Sequence, residues 1–414
     1  MMKKRNVGRG MRVLSVVFLG MVLAVSAQAQ WTDGQDAQYV VGQPDFISWA
    51  SATTATGLKN PSGLAIDKPH GKMYVADYGN HRVLRYAYPL SGNQPSAELV
   101  LGQADFTSGS ANRGGAVGAN TMNGAAACAV DSSGRLWIGD ASNNRVLWFD
   151  DAYAISSDGA AADGVLGQVD FTSADTNGGG SVAADSMNHP YGVYIDPWGN
   201  LLVTDFDNHR VLRFDDASSL SNGAAADAVL GQADFVSNAQ NRGGSAAANT
   251  LYQPDGVVAV GSALFVADKG NHRVLRYDAY LSKADGAAAD GVLGQPDFVT
   301  ATGGATQSIL YGPRLVEADG AGRLYVADTD NNRILIFEGA VGKGNGANAD
   351  SVLGQTDFTS WEGDTTQGRL WTPDQMAVDG DAGYLLVADE NNNRVVQFNA
   401  STTLPVALGA FAIE

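Results

Sequence analysis

Cys128 is the only cysteine among 414 residues, so no intrachain disulfide is available to hold the fold. It lies in the small apolar run Ala125 to Val130 with no base beside it, which reads as a buried core position rather than a catalytic thiol. Glutamate and lysine are scarce: 6 Glu stand against 38 Asp, and 8 Lys against 18 Arg. Long surface helices draw on Glu and Lys, whereas Asp and Gly serve turns, so this balance disfavours a helical bundle. Basic surface is missing too. The net charge of −18 disfavours a nucleic-acid binder, which needs a basic face. No nucleophile motif or nucleotide fingerprint occurs, and the runs Gly178 to Gly180 and Gly243-Gly244 lack the following helix of a phosphate loop.

The one long apolar run is N-terminal. Lys3, Lys4, Arg5, Arg9 and Arg12 precede Val13 to Val25, and Ala27-Gln28-Ala29 follows as a small-x-small cleavage site. Residues 1–29 therefore read as a signal peptide, giving a secreted, extracellular or periplasmic protein beginning at Gln30. An uncleaved anchor is the alternative, but the run falls short of the ~20 residues of a span. After cleavage no membrane span remains. Removing five bases and no acids takes the net charge from −18 to −23.

What is present is repetition. Leu-Gly-Gln-x-Asp-Phe, or a close variant, recurs with its Gln at 43, 103, 168, 232, 295 and 355. A second phrase, Asp-x-x-Asn-His/Asn-Arg, keeps step with it. Its pairs are Asp77 and Arg82, Asp140 and Arg145, Asp205 and Arg210, Asp268 and Arg273, Asp328 and Arg333, and Asp389 and Arg394. An element present in every unit reads as structural, bracing a hairpin. In the third unit Gly192–Asp196, Leu201–Thr204, Arg210–Phe214 and Ala228–Gln232 alternate as four short strands. Six such units predict an all-β, six-bladed β-propeller of four-stranded antiparallel blades over residues 30–400. The first Leu-Gly-Gln-type strand, Tyr39 to Gln43, precedes every three-strand segment, and the sixth blade lacks a fourth strand. The N-terminal strand is therefore expected to close the ring. The rival, Val406 to Gly409, follows Phe398 by too short a loop.

Asn80-His81-Arg82, Asn208-His209-Arg210 and Asn271-His272-Arg273, with strands such as Met73 to Asp77, resemble the NHL repeat. The resemblance covers residues 38–399 and implies a six-bladed propeller. The chain departs from the pattern at Gly139 and Thr204, at Val260 where an Asp is missing, and in the Asn that replaces His in units two, five and six. Some relatives of this architecture are lyases that hold a metal with channel histidines. Others bind RNA on the loop face, which the charge argues against here.

Function is sought where units differ. The loop entering each first strand opens at the channel mouth. One position there reads Asn60, Gly124, His189, Gln253, Gly312 and Thr372, and another Ser62, Ala126, Tyr191, Asp255, Arg314 and Asp374. Glu317 replaces an apolar residue inside a first strand, which places it facing the channel or paired with a base such as Arg314. The binding candidates are thus Asn60, His189, Tyr191, Gln253, Asp255, Arg314, Glu317 and Asp374. His189 is the one histidine at the mouth, a poor start for zinc, and no Asp-x-Asp-x-Asp-Gly loop for calcium occurs. No cofactor is expected, with calcium or zinc the alternative. The reading is a secreted or cell-surface binding or scaffold protein that takes a protein or glycan on its loop-rich face. The alternative is a channel-mouth lyase or hydrolase. Within 401–414, Leu404 to Phe411 resembles the opening of C-terminal sorting modules of secreted proteins, an ordinary tail being the other reading.

Overall fold

Six four-stranded antiparallel sheets stand around a central channel in the computed structural model, which describes residues 29–402. The expected signal segment lies outside the described residues except for Ala29, as does the tail beyond Thr402. The inner strands are Pro61–Asp67, Ala125–Val130, Pro190–Ile195, Pro254–Val260, Pro313–Ala318 and Pro373–Asp379, in blades 1 to 6. Each packs against the inner strands of both neighbours. Six clusters of buried apolar side chains fill the gaps, one between each adjacent pair of blades. The Phe of each Gln-x-Asp-Phe turn packs on the edge of one of them.

The N-terminal strand closes the ring. Tyr39–Val41 pairs antiparallel with Arg394–Asn399 as the fourth strand of blade 6. Ala29–Gln30 adds a short ribbon with Ser401–Thr402 that the sequence did not suggest. In blade 3 the inner strand starts two residues before the expected Gly192, because Pro190 pairs with Asp205 and the ladder then skips to Val193. Proline sits where no ladder donor is required, and the break hides the strand start from a period-two pattern.

The Asp–Arg pairs sit in the same place six times, each fully buried and each 2.7 Å from Arg Nε to Asp Oδ2. In blade 3, Asp205 also accepts from Asn208 Nδ2 at 2.8 Å and from the Asn188 backbone at 2.7 Å. Arg210 spends its remaining donors on carbonyls: Phe235 after the fourth strand, and Ala183 and Ser186 in the incoming loop. One pair thus ties four segments together. Guanidinium suits the task because its donors diverge in a rigid plane.

The His or Asn before each Arg takes a left-handed conformation, with φ from 50° to 55° at His81, Asn144, His209, His272, Asn332 and Asn393. Its side chain then accepts a backbone N–H from the next blade: His209 Nδ1 from Gln253, and Asn144 Oδ1 from His189. Both residue types tolerate positive φ and offer an acceptor at similar reach, so either fills this position, the Asn adding a bond from Nδ2 to a loop carbonyl.

The outer edge of each blade is covered by its neighbour. Asp158 accepts the N–H of Val100, and Gly159 donates to the Val100 carbonyl. Asn222-Gly223, Asp285-Gly286 and Asn345-Gly346 repeat this on Val165, Val229 and Val292. Asn93-Gln94 covers Val40, and Asp33-Gly34, from the N-terminal segment, covers Val352. Every fourth strand is thereby paired on its open side.

Arg210→Lys, which keeps the charge but loses the fork, is expected to cost about 3 kcal/mol in chemical denaturation. His209→Asn should change stability by less than about 0.5 kcal/mol. His209→Val should cost about 1–3 kcal/mol, because a branched residue at positive φ also leaves the Gln253 N–H unmet.

Candidate functional site

The register breaks in the inner strands generate the site. The skipped residues are Tyr191-Gly192, Asp255-Gly256, Arg314-Leu315 and Asp374-Gln375, lying between the first and the next paired residue of each strand. Released from the ladder at the loop end of the channel, the first of each pair is free to face the mouth. Neighbouring blades fix their backbones: Thr204 Oγ1 donates to the Asp255 carbonyl at 2.6 Å, and Thr329 Oγ1 donates to that of Pro373 at 2.7 Å. The departure at Thr204 from the repeat's Ala thus positions Asp255. Gly192 is required there, since a Cβ on it would lie 2.2 Å from the Asp255 carbonyl oxygen.

A second tier surrounds the first. It consists of the residue following each strand-end Asp: Tyr78, Ala141, Phe206, Lys269, Thr329 and Glu390. Sequence reasoning missed Tyr78, Phe206, Lys269 and Glu390. The signal was available, because this position varies freely directly after an Asp that never varies.

Blades 4 to 6 make the charged side. Arg314 Nη1 bridges Asp374 Oδ2 at 3.0 Å and Glu390 Oε2 at 2.9 Å. Asp255, 3% exposed, lies within electrostatic reach of Asp374, Arg314, Lys269 and Glu390, and its Oδ2 has no hydrogen-bond partner. Burial, reinforced by Asp374, pushes the Asp255 carboxyl up to about 7. Burial and the same neighbour push Glu390 up to about 7, against Arg314. Burial also raises Asp374, with Arg314 opposing.

Blades 1 and 3 make the aromatic side. The Tyr191 ring stacks 6.3 Å from Tyr78 and lies 5.2 Å from Phe206, and Lys269 Nζ stands 5.2 Å over the Phe206 ring. Farther out, Tyr252, Tyr311 and Trp371 occupy one position in blades 4, 5 and 6, each anchored by its backbone N–H to the strand-end Asp. Lys59, Asn123 and Asn188 hold that position in blades 1 to 3. Trp49 and Trp361, 58% and 57% exposed, lie in loops whose backbones accept from Asn393 and Asn332 on the same face.

Of the remaining sequence candidates, His189 joins the aromatic side, its ring 5.2 Å from Tyr191 and 6.2 Å from Phe206, and the others fall elsewhere. Asn60, His189 and Gln253 are left-handed loop residues whose backbones are held by the preceding blade. His189 and Gln253 converge on Asp207, at 3.3 and 3.4 Å. The hydrogen bond from His189 is the main reason the Asp207 carboxyl is lowered. Glu317 meets neither group. It lines a separate chamber of about 210 Å³ deeper in the channel, with Tyr194, Cys128 and Gln375. Gln375 Oε1 spans the channel to accept the Leu64 and Cys128 backbone N–H groups. Burial pushes Glu317 up to about 7 and the Cys128 thiol above its ordinary range. Among the described residues no set of three or more His, Cys, Asp or Glu side chains is placed to hold a metal ion, and no helix is long and apolar enough to cross a membrane.

Glu317 is neutral in both folded and unfolded states below about pH 4.5 and ionises late in the fold. Wild type should therefore lose stability relative to Glu317→Gln as pH rises from about 4.5 to 7, levelling at about 1–3 kcal/mol. Paired unfolding curves across pH check this, and a flat difference rejects it.

The NHL repeat family model matches residues 58–86 and 187–214, the first three strands of blades 1 and 3. Blade 4, with the same Asn-His-Arg, carries Val260 where those two have Asp67 and Asp196. No curated protein matches the sequence. A structural-genomics protein of unknown function from Bacteroides thetaiotaomicron is similar in structure, with TM-score 0.54 and 12% identity over 89% of this chain and 75% of that one. A streptogramin B lyase structure is similar at TM-score 0.44 and 12% identity, over 85% of this chain and 96% of that one. At these identities the likeness concerns the fold alone. With six blades each carrying the Asp-x-x-Asn-His/Asn-Arg frame, the chain is a six-bladed β-propeller in which blades 1 and 3 match the NHL repeat.

Proposed function

We propose that this propeller is an exported binding module that recognises a glycan or protein through its loop-rich face. The observation that supports it best is the distribution of variety. The invariant residues are consumed by the frame, while the positions free to differ gather around one end of the channel. There they set an aromatic side, Tyr78, Tyr191 and Phe206, against a charged side, Asp255, Lys269, Arg314, Asp374 and Glu390. Export rests on the basic head, apolar run and cleavage site of residues 1–29.

Catalysis at the mouth is the second reading, favoured by one observation: Asp255 and Glu390, both raised to about 7, have the proton affinity of an acid–base pair at neutral pH. Against it, Arg314 already engages two of the three carboxylates, and the same bridge competes with any calcium or zinc. Binding therefore requires no metal in this proposal.

Two measurements separate the readings. Metal analysis of purified protein should find no stoichiometric zinc or calcium; finding either, lost on His189→Ala, would favour the enzyme. On glycan and protein arrays, hits should vanish in Tyr191→Ala and persist in Trp198→Ala, a change on the opposite face. The reverse pattern sinks the loop-face reading.

A further inference from the structure

We propose that the ligand of the loop face is a neutral glycan, with one sugar ring on the channel mouth and its chain running out over the aromatic rim of blades 4 to 6. This rests on the binding reading above and narrows it. Two buried polar atoms of opposite kinds stand unpartnered beneath the mouth: Asp255 Oδ2 accepts and Arg314 Nε donates. Asp255 is buried and this oxygen is closed to solvent, so its cost is relieved when a side-chain rotation brings it to a ligand group. A hydroxyl both donates and accepts, so vicinal hydroxyls on one ring satisfy such a mixed set. A simple cation or anion leaves one kind unmet.

Charge points the same way. Two cations and three carboxyl groups already oppose one another around the mouth, so a charged ligand loses to one set what it gains from the other. The acidic molecule as a whole, at −18, disfavours an acidic polysaccharide. Flat surface continues beyond the mouth: Tyr311 and Trp371 are 44% and 41% exposed, and Trp361 and Trp49 more so. Aromatic faces with polar neighbours suit the apolar face of a sugar ring. An extended peptide lacks its usual foothold, because every outer blade edge is already paired.

The test uses the protein from Gln30 onward, with tryptophan fluorescence and calorimetry. Probes are neutral hexasaccharides of glucose, mannose, xylose and N-acetylglucosamine, with oligogalacturonate and polylysine as charged comparators. Saturable binding to at least one neutral chain is expected. Asp255→Asn and Trp371→Ala should each weaken it about tenfold or more. Trp198→Ala should leave it unchanged, and unfolding midpoints should show all three variants folded. If no neutral chain binds, or if binding ignores both loop-face changes, the inference is wrong. A charged polymer or a protein bound through the loop face overturns the neutral glycan but keeps the broader reading. Binding confined to the opposite face overturns both.

Discussion

A buried ion pair is a demand before it is a support. Removing Asp205 and Arg210 from water is tolerable only if every remaining donor and acceptor is met, and the two between them need a hairpin amide, a loop N–H and three carbonyls. Those partners come from segments with no contact in an unfolded chain. The pair therefore dictates where the incoming loop, the hairpin and the turn after the fourth strand must lie. Six identical demands produce six nearly identical loop faces, and the channel mouth inherits its geometry from them. Even the aromatic rim is held this way, since the strand-end Asp grips the backbones of Tyr252, Tyr311 and Trp371.

The function of the frame also explains its economy. Each blade leaves few positions near the channel uncommitted: the skipped residue of the inner strand and the residue after the strand-end Asp. Blade 2 fills both with alanine, Ala126 and Ala141, and blade 1 fills one with Ser62, whose hydroxyl is spent on the Ala126 carbonyl. Chemistry concentrates in blades 3 to 6. The site is thus a lopsided decoration on a symmetric scaffold, as expected where recognition is added to a fold that stands without it.

Much of this was legible in the residues. Constant spacing from Asp to Arg and the misplaced first Leu-Gly-Gln strand were enough for the blade number and the closure. The mouth was legible in part: Tyr191, Asp255, Arg314 and Asp374 could be placed by aligning units. Glu390 could not be joined to Arg314, because 76 residues separate them and only the ring brings blade 6 beside blade 5. Glu317 shares a strand with Arg314, which suggested a pairing, but three residues along an inner strand carry a side chain into a different layer of the channel. The edge covers were invisible for another reason. Asp-Gly and Asn-Gly are ordinary turn sequences, and nothing local tells that the turn serves the adjacent blade.

Closing the ring through Tyr39–Val41 settles where the chain enters and leaves. Arg394–Asn399 runs away from the loop face, and Gln38 begins beside Gln397 at its far end. Ala29–Gln30 and Ser401–Thr402 then lie side by side. The described residues therefore begin and end at one spot on the face opposite the mouth. A tether fixed to either end, whether to a membrane or to a larger assembly, holds the propeller by its back and turns the mouth toward the surroundings.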